Sequence, residues 1–159
     1  MQSFELIYML SNLVLLPAWL FLIVAPSWRW THLLVHRIWI PVLYCTAVVV
    51  IVLIRPPAAE GANIGSLQGF MLLLQSPFSS LAIWVQLVVW DLFIGAWESR
   101  DAHRHGIPRG WMVVPLVATF LFGPPGVLIY FAIRYVRTRD VTLVEQDEAT
   151  QADAASVRA

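Results

Sequence analysis

The chain has no lysine, a single cysteine and few charges of either sign: ten arginines and ten acids make up 13% of its 159 residues. A soluble domain carries about 25% charged residues, so an ordinary water-soluble fold is excluded. The formal net charge is zero, which leaves no basic field to attract nucleic acid; no nucleic-acid partner is expected. The lone Cys45 excludes an internal disulfide and a thiolate metal cage. No stretch alternates apolar and polar residues over ten positions, which argues against a transmembrane barrel. Glycine-rich phosphate loops, a His-Glu-x-x-His pair and a nucleophile elbow are all missing. There is no heptad pattern and no internal repeat.

What is present is apolar. Hydrophobic residues make up 59% of the chain, eight of them tryptophan, and the mean hydropathy is +0.72. A spanning helix needs roughly 20 mostly apolar residues, and four segments approach that: about 6–25, 38–54, 78–97 and 112–135. The expected fold is all-α, an integral membrane bundle of four transmembrane helices within residues 1–139. The apolar piece 64–75 is about half a span long and reads as a short interfacial or re-entrant helix before the third span. From Asp140 the chain turns acidic and alanine-rich, so 140–159 is expected to be a disordered tail. The first segment lacks the basic flank of a signal peptide.

Pro26, Arg55-Pro56-Pro57, Ser76-Pro77 and Gly106/Gly110 mark the span boundaries, and Trp28 and Trp30 suit a membrane interface. Four spans put both termini on one side and the connections 26–37 and 98–111 on the other. Those connections hold Arg29, Arg37, Arg100, Arg104 and Arg109. The opposite side holds Arg55, Arg134, Arg137 and Arg139, so the positive-inside rule decides little; the slight excess leans toward both termini outside.

Asp91 is the strongest chemical feature. A carboxylate inside a span costs about 2.5–3.5 kcal/mol on insertion scales, which makes it a functional candidate by default. It is either a general acid or base or a polar clamp to a neighbouring helix. Counting inward from the ends of straight helices places Tyr44, Thr119 and Trp19 at its depth, with Tyr44 and Thr119 as its natural hydrogen-bond partners. Trp84, Leu87, Val88, Gly95 and Glu98 share its helix face; Glu98 falls at the membrane surface as a solvated charge. Asn12 is a second buried polar group, suited to interhelical hydrogen bonding. Pro17 is a candidate kink that opens a cavity. Phe122-Gly123-Pro124-Pro125-Gly126 breaks the last span, either as the wall of a substrate groove or as a packing kink. His32 and His36, with Asp101, His103 and His105, sit in loops on one side without a specific metal signature; no metal is assigned.

Several pieces in order resemble a known family: Asn12-Leu13 with Leu16-Pro17 and Trp19; Pro26 to Thr31; Gly65-Ser66-Leu67 with Ser76-Pro77; Trp84-Val85-Gln86 leading to Asp91-Leu92-Phe93-Ile94-Gly95 and Trp97; and Phe120 to Gly126. Across about residues 4–136 the chain resembles the abscisic-acid-deficient-four-like family. The resemblance implies a four-helix membrane protein of xanthophyll metabolism. In plants the reaction is isomerisation of violaxanthin to neoxanthin: an epoxide opens, a proton leaves the adjacent polyene carbon, and an allene and a tertiary alcohol result. The net change involves no redox, so no redox cofactor is demanded. The matching acid here is Asp91, with Asn12 beside it.

One departure stands out. Gln86 occupies a position where the family often has histidine, and a glutamine cannot titrate. Candidate substrate-contacting residues are then Asn12, Trp19, Tyr44, Trp84, Gln86, Thr119 and Pro124. The expected partner is a membrane lipid or carotenoid, and the chain either forms a homo-oligomer or joins a partner membrane enzyme. Three readings remain open: an epoxy-carotenoid isomerase, a non-enzymatic lipid- or carotenoid-binding partner of another membrane enzyme, and a small transporter subunit. The short start without a transit peptide suggests a multi-pass protein of a bacterial inner membrane.

Overall fold

A computed structural model describes residues 2–37, 39–54, 59–140 and 142. The described residues form seven helices and no strand: α1 Gln2–Val24, α2 Arg29–Leu34, α3 Trp39–Ile54, α4 Leu67–Leu74, α5 Pro77–Arg104, α6 Arg109–Phe122 and α7 Pro124–Thr138. Three stretches are long and apolar enough to cross a membrane: Phe4–Val24, Arg29–Ile54 and Pro77–Arg104. Within the second, α3 alone has 16 residues. The Arg55-Pro56-Pro57 stop and nearly all of the tail lie outside the described residues.

α5 is the hub, packed against α1, α3, α4, α6 and α7. It runs parallel to α1. Phe4 meets Phe78 edge to face at 4.7 Å, Tyr8 stacks obliquely on Trp84 at 5.2 Å, and further along Trp19 lies over Gly95. A methyl at Gly95 would sit 2.6 Å from the Trp19 ring, so glycine sets how closely α1 approaches. α1 is continuous through Pro17, which is exposed. α3 is tied to α1 by the Tyr44 hydroxyl, which donates to the Ser11 carbonyl at 2.6 Å.

Three sequence expectations are corrected. The stretch 26–37 contains α2, anchored by the buried Thr31 hydroxyl donating to the Ala25 carbonyl at 2.7 Å. The short helix expected before the third span is present as α4, capped by the Ser66 hydroxyl, which accepts from Gly69 N–H at 3.0 Å. By contrast Ser76, expected to cap α5, makes no side-chain cap bond. α5 also runs seven residues past Trp97, to Arg104.

The largest correction concerns the segment 112–135. It is not one helix but α6 and α7, joined through Gly123 alone. The two pack side by side: Thr119 lies where a Gly126 side chain would be, and the Arg137 guanidinium stacks over the Trp111 ring at 5.5 Å. The pair is a helical hairpin that returns to the end of α5 from which it left. The described chain therefore starts at one end of α5 and finishes at the other, rather than having both ends together. The hairpin also regroups charge. Arg134, Arg137 and Arg139 join Arg29, Arg37, Arg100, Arg104 and Arg109 at a single end of the bundle. The other two arginines, Arg55 and Arg158, fall outside the described residues.

Candidate functional site

The face of α5 that receives the hairpin carries Asp91, Glu98 and Asp101, spaced to lie along one stripe of the helix. Each meets the hairpin differently. Asp91, midway along α5, lies against its apex. Gly123 there has φ 65° and ψ −99°, a backbone that favours glycine. A side chain at that position would also sit 2.8 Å from Asp91 Oδ1. The Gly123 N–H is already bonded to the Thr119 carbonyl at 2.8 Å, and the next two residues are prolines at the start of α7. Prolines there remove donors that a helix start leaves unpaired, so the apex presents few free N–H groups to apolar surroundings. The partial positive charge of the α7 N-terminus favours a carboxylate beside it. Asp91 is half-buried and has no hydrogen-bond partner among the described residues.

Glu98 is fully buried and accepts from the Thr119 hydroxyl at 3.0 and 3.2 Å. Its expected place at the surface is thus corrected: α6 covers it. Asp101 is buried as well, paired to Arg134 Nη1 at 3.1 Å and accepting from the Tyr130 hydroxyl. Arg134 is only 3% exposed. Its Nη2 donates to the Thr142 carbonyl and to Asp140 Oδ2 at 3.4 Å, while its buried Nε has no partner among the described residues.

His105 completes this layer. Its Nδ1 is 2.8 Å from the Asp101 carbonyl, which only accepts, and its Nε2 is 3.2 Å from Arg134 Nη2, which only donates. Nδ1 is thus placed to donate to the Asp101 carbonyl, while Nε2 also lies 3.5 Å from Asp140 Oδ2. Asp140 is held in the chain's turn by Thr142. The hydroxyl and N–H of that residue donate to it at 2.6 and 2.8 Å and keep its carboxyl well below the usual carboxylate range. The stability this lends is present above the ordinary carboxylate pKa and is lost as the pH falls through the lowered one.

The predicted neighbours of Asp91 have other partners. Tyr44 is bonded to Ser11 and Thr119 to Glu98. Trp19 is buried between Gly95 and Phe120, its ring 5.3 Å from the phenyl. Asn12 accepts from Trp84 Nε1 at 3.3 Å and donates to the Tyr8 carbonyl at 2.7 Å. Tyr8 and Trp84 line a largely apolar groove of about 390 Å³ with Phe4, Pro77 and Leu81, and Glu5 and Ser80 also border it. Gln86 is exposed on α5, and Pro124 is exposed at the hairpin apex next to Gly123. Among the loop histidines, His32 and His36 lie ring to ring at 5.0 Å. Among the described residues no three potential metal ligands converge.

A family model described as ABA DEFICIENT 4-like matches residues 6–130. The chain belongs to that family. No curated protein and no solved structure matches it. The region shared with the ABA DEFICIENT 4-like family runs from α1 to Tyr130 in α7. It takes in Asp91, Glu98, Asp101, Thr119 and Gly123, and stops before Arg134. Sequence reasoning misses the Glu98–Thr119 and Asp101–Tyr130 contacts. Their signal is the spacing of Asp91, Glu98 and Asp101 on one helix face, which is hidden when that helix is ended at Trp97.

Proposed function

We propose that this ABA DEFICIENT 4-like protein works in a bacterial inner membrane as a multi-pass protein acting on a carotenoid or related isoprenoid lipid, with Asp91 as its acid–base group. The observation that carries this reading is Asp91 itself: a half-exposed carboxyl midway along an apolar helix, unpartnered among the described residues, at the tip of a hairpin whose apex offers it almost no competing donor. The buried Glu98 and Asp101 are occupied by Thr119, Tyr130 and Arg134 and hold the hairpin. Asp91 is the carboxyl left for chemistry.

For an epoxy-carotenoid the step balances within one carboxyl. The protonated oxygen gives its proton to the epoxide oxygen as the C–O bond breaks. The other oxygen takes the proton from the neighbouring polyene carbon, whose C–H electrons form the allene. The substrate gains and loses one proton, and Asp91 ends as it began. The groove beside Trp84, Tyr8 and Asn12 is the surface along which an apolar chain would lie.

Three candidate spans and a re-entrant hairpin support an orientation with the two termini on opposite sides. Eight arginines gather at the end holding α2, the α5–α6 turn and the α7 C-terminus. The positive-inside rule puts that end in the cytoplasm, with the N-terminus outside and the C-terminus inside.

The test is expression in a carotenoid-producing host, followed by analysis of extracted pigment and the absorption spectrum of the purified protein, for wild type and Asp91→Asn. Loss of a general acid–base group costs about 10²–10⁴-fold, so the variant should stay folded and retain pigment while product falls below detection. Unchanged product in Asp91→Asn would overturn the catalytic role. Exposed, non-titrating Gln86 favours the second reading, a pigment-binding partner of another enzyme, in which bound pigment is identical in both proteins and neither forms product.

A further inference from the structure

The arginine-rich end of the bundle contains a cleft of about 300 Å³ between the end of α1, α2, the last turns of α5 and the start of α6. Its rim carries Arg100, Arg104 and Arg109 together with His32, His36 and His103, and its floor is Leu22, Met112 and Leu116. Among the described residues no Asp or Glu lines it. Two contacts orient the rim: Arg109 donates to the Ser27 hydroxyl, and Arg100 Nη1 lies 3.2 Å from His36 Nδ1, which must accept. The carboxylates of Asp101 and Asp140, at this same end of the molecule, lie on the opposite flank of α5 with Arg134 and Tyr130.

A concave site lined by several guanidiniums and the Ser27 and Ser99 hydroxyls, with no acid among its described lining residues, suits an anion with multiple acceptor oxygens. Arginine's fork matches phosphate in particular. The leucines and methionine below the rim suit carbon rather than water. We propose that this cleft binds a phosphate ester or diphosphate bearing an apolar chain, held by Arg104 and Arg109 at the mouth. The site is separate from the Asp91 layer and does not depend on the isomerase reading. Such a phosphate comes from one of two sources, the headgroup of an anionic membrane lipid or a phosphorylated compound arriving from water.

The experiment uses the full chain, purified in mild detergent and stripped of lipid. Binding is measured with two probes: inorganic pyrophosphate, and nanodiscs of phosphatidylglycerol against nanodiscs of phosphatidylcholine. Saturable binding of pyrophosphate assigns the site to a water-borne phosphate. Preference for phosphatidylglycerol with no response to pyrophosphate assigns it to a lipid headgroup. Either outcome supports the proposal if Arg104→Gln/Arg109→Gln weakens binding about tenfold or more while Arg137→Gln/Arg139→Gln, at the same end but outside the cleft, leaves it unchanged. Wild-type protein that binds neither probe overturns the proposal without recourse to a variant. So does equal weakening by both pairs of substitutions, which would mark diffuse surface charge. Asp91→Asn should bind like wild type, so failure of the catalytic reading and failure of this one are told apart.

Discussion

Arg134→Ala should lower the stability of the protein by about 3–5 kcal/mol, the range seen when one partner of a buried ion pair is removed. The guanidinium sits 3.1 Å from Asp101, and the two side chains are 3% and 9% exposed. Truncation strands the Asp101 carboxylate in a low-dielectric site with the Tyr130 hydroxyl and, at 3.6 Å, His105 Nδ1, and leaves Asp140, His105 and the Thr142 carbonyl without their common donor. For a chain of this size the loss corresponds to a fall in melting temperature of about 6–20 °C, read by circular dichroism in detergent. Arg134→Lys should fall between, since an ammonium keeps the charge but not the fork that reaches several acceptors at once. Asp101→Asn/Arg134→Met should recover much of the loss, because no buried charge is left unpaired. A fall of only a degree or two in Arg134→Ala would mean that this pair does not hold α7 to α5.

Gly126→Val is the second large effect. The first atom of any side chain at 126 would overlap the Thr119 hydroxyl and, more seriously, the Thr119 backbone. Backbone cannot rotate aside, so α6 and α7 must part. Overpacking of this kind costs about 1–3 kcal/mol. Parting the helices also weakens the Thr119 bond to fully buried Glu98, and an unsatisfied buried acceptor costs about 1–3 kcal/mol more. Gly110→Ala is the contrast. That glycine lies in the first turn of α6, and an added methyl there would meet nothing within 4 Å, so alanine should be neutral or stabilising by about 0.4–1 kcal/mol. Comparable melting temperatures for the two variants would contradict the close packing of the hairpin.

Much of the scaffold is legible in the sequence. Long apolar runs announce α1, α3 and α5, and the Gly123-Pro124-Pro125 break is plain. What local pattern does not carry is the direction of the chain after the break. A kinked helix and a reversal share the same glycine and prolines. The difference lies in distant partners: Gly126 against Thr119, and Tyr130 and Arg134 on Asp101. A straight last span sends Arg134, Arg137 and Arg139 to the far side, and the charge asymmetry on which the proposed orientation rests disappears with them.

The expected layer around Asp91 fails for a related reason. Counting depth from Trp97 misplaces it, because α5 continues seven residues further, a displacement of about 10 Å along the axis. Glu98 and Asp101 look like a solvated helix end until the hairpin that covers them is in place. Thr119, expected beside Asp91, is instead bonded one layer away to Glu98. Asp91 itself needs no tertiary information, because a lone carboxyl within an apolar run stands out at once.

The central claim is that the last apolar segment enters and leaves the membrane at one end, placing Asp91 at its tip and the two termini on opposite sides. Single cysteines labelled with a membrane-impermeant maleimide in intact cells test it most directly. The background is Cys45→Ser, which removes the chain's one native thiol. Glu5→Cys, exposed near the start of α1, and Arg139→Cys, just past α7, are the reporters. The hairpin predicts labelling of Glu5→Cys in intact cells and of Arg139→Cys only after permeabilisation. Labelling of both positions from the same side would mean that the segment crosses the membrane as a fourth span, and Asp91 would lose the hairpin apex on which its proposed role depends.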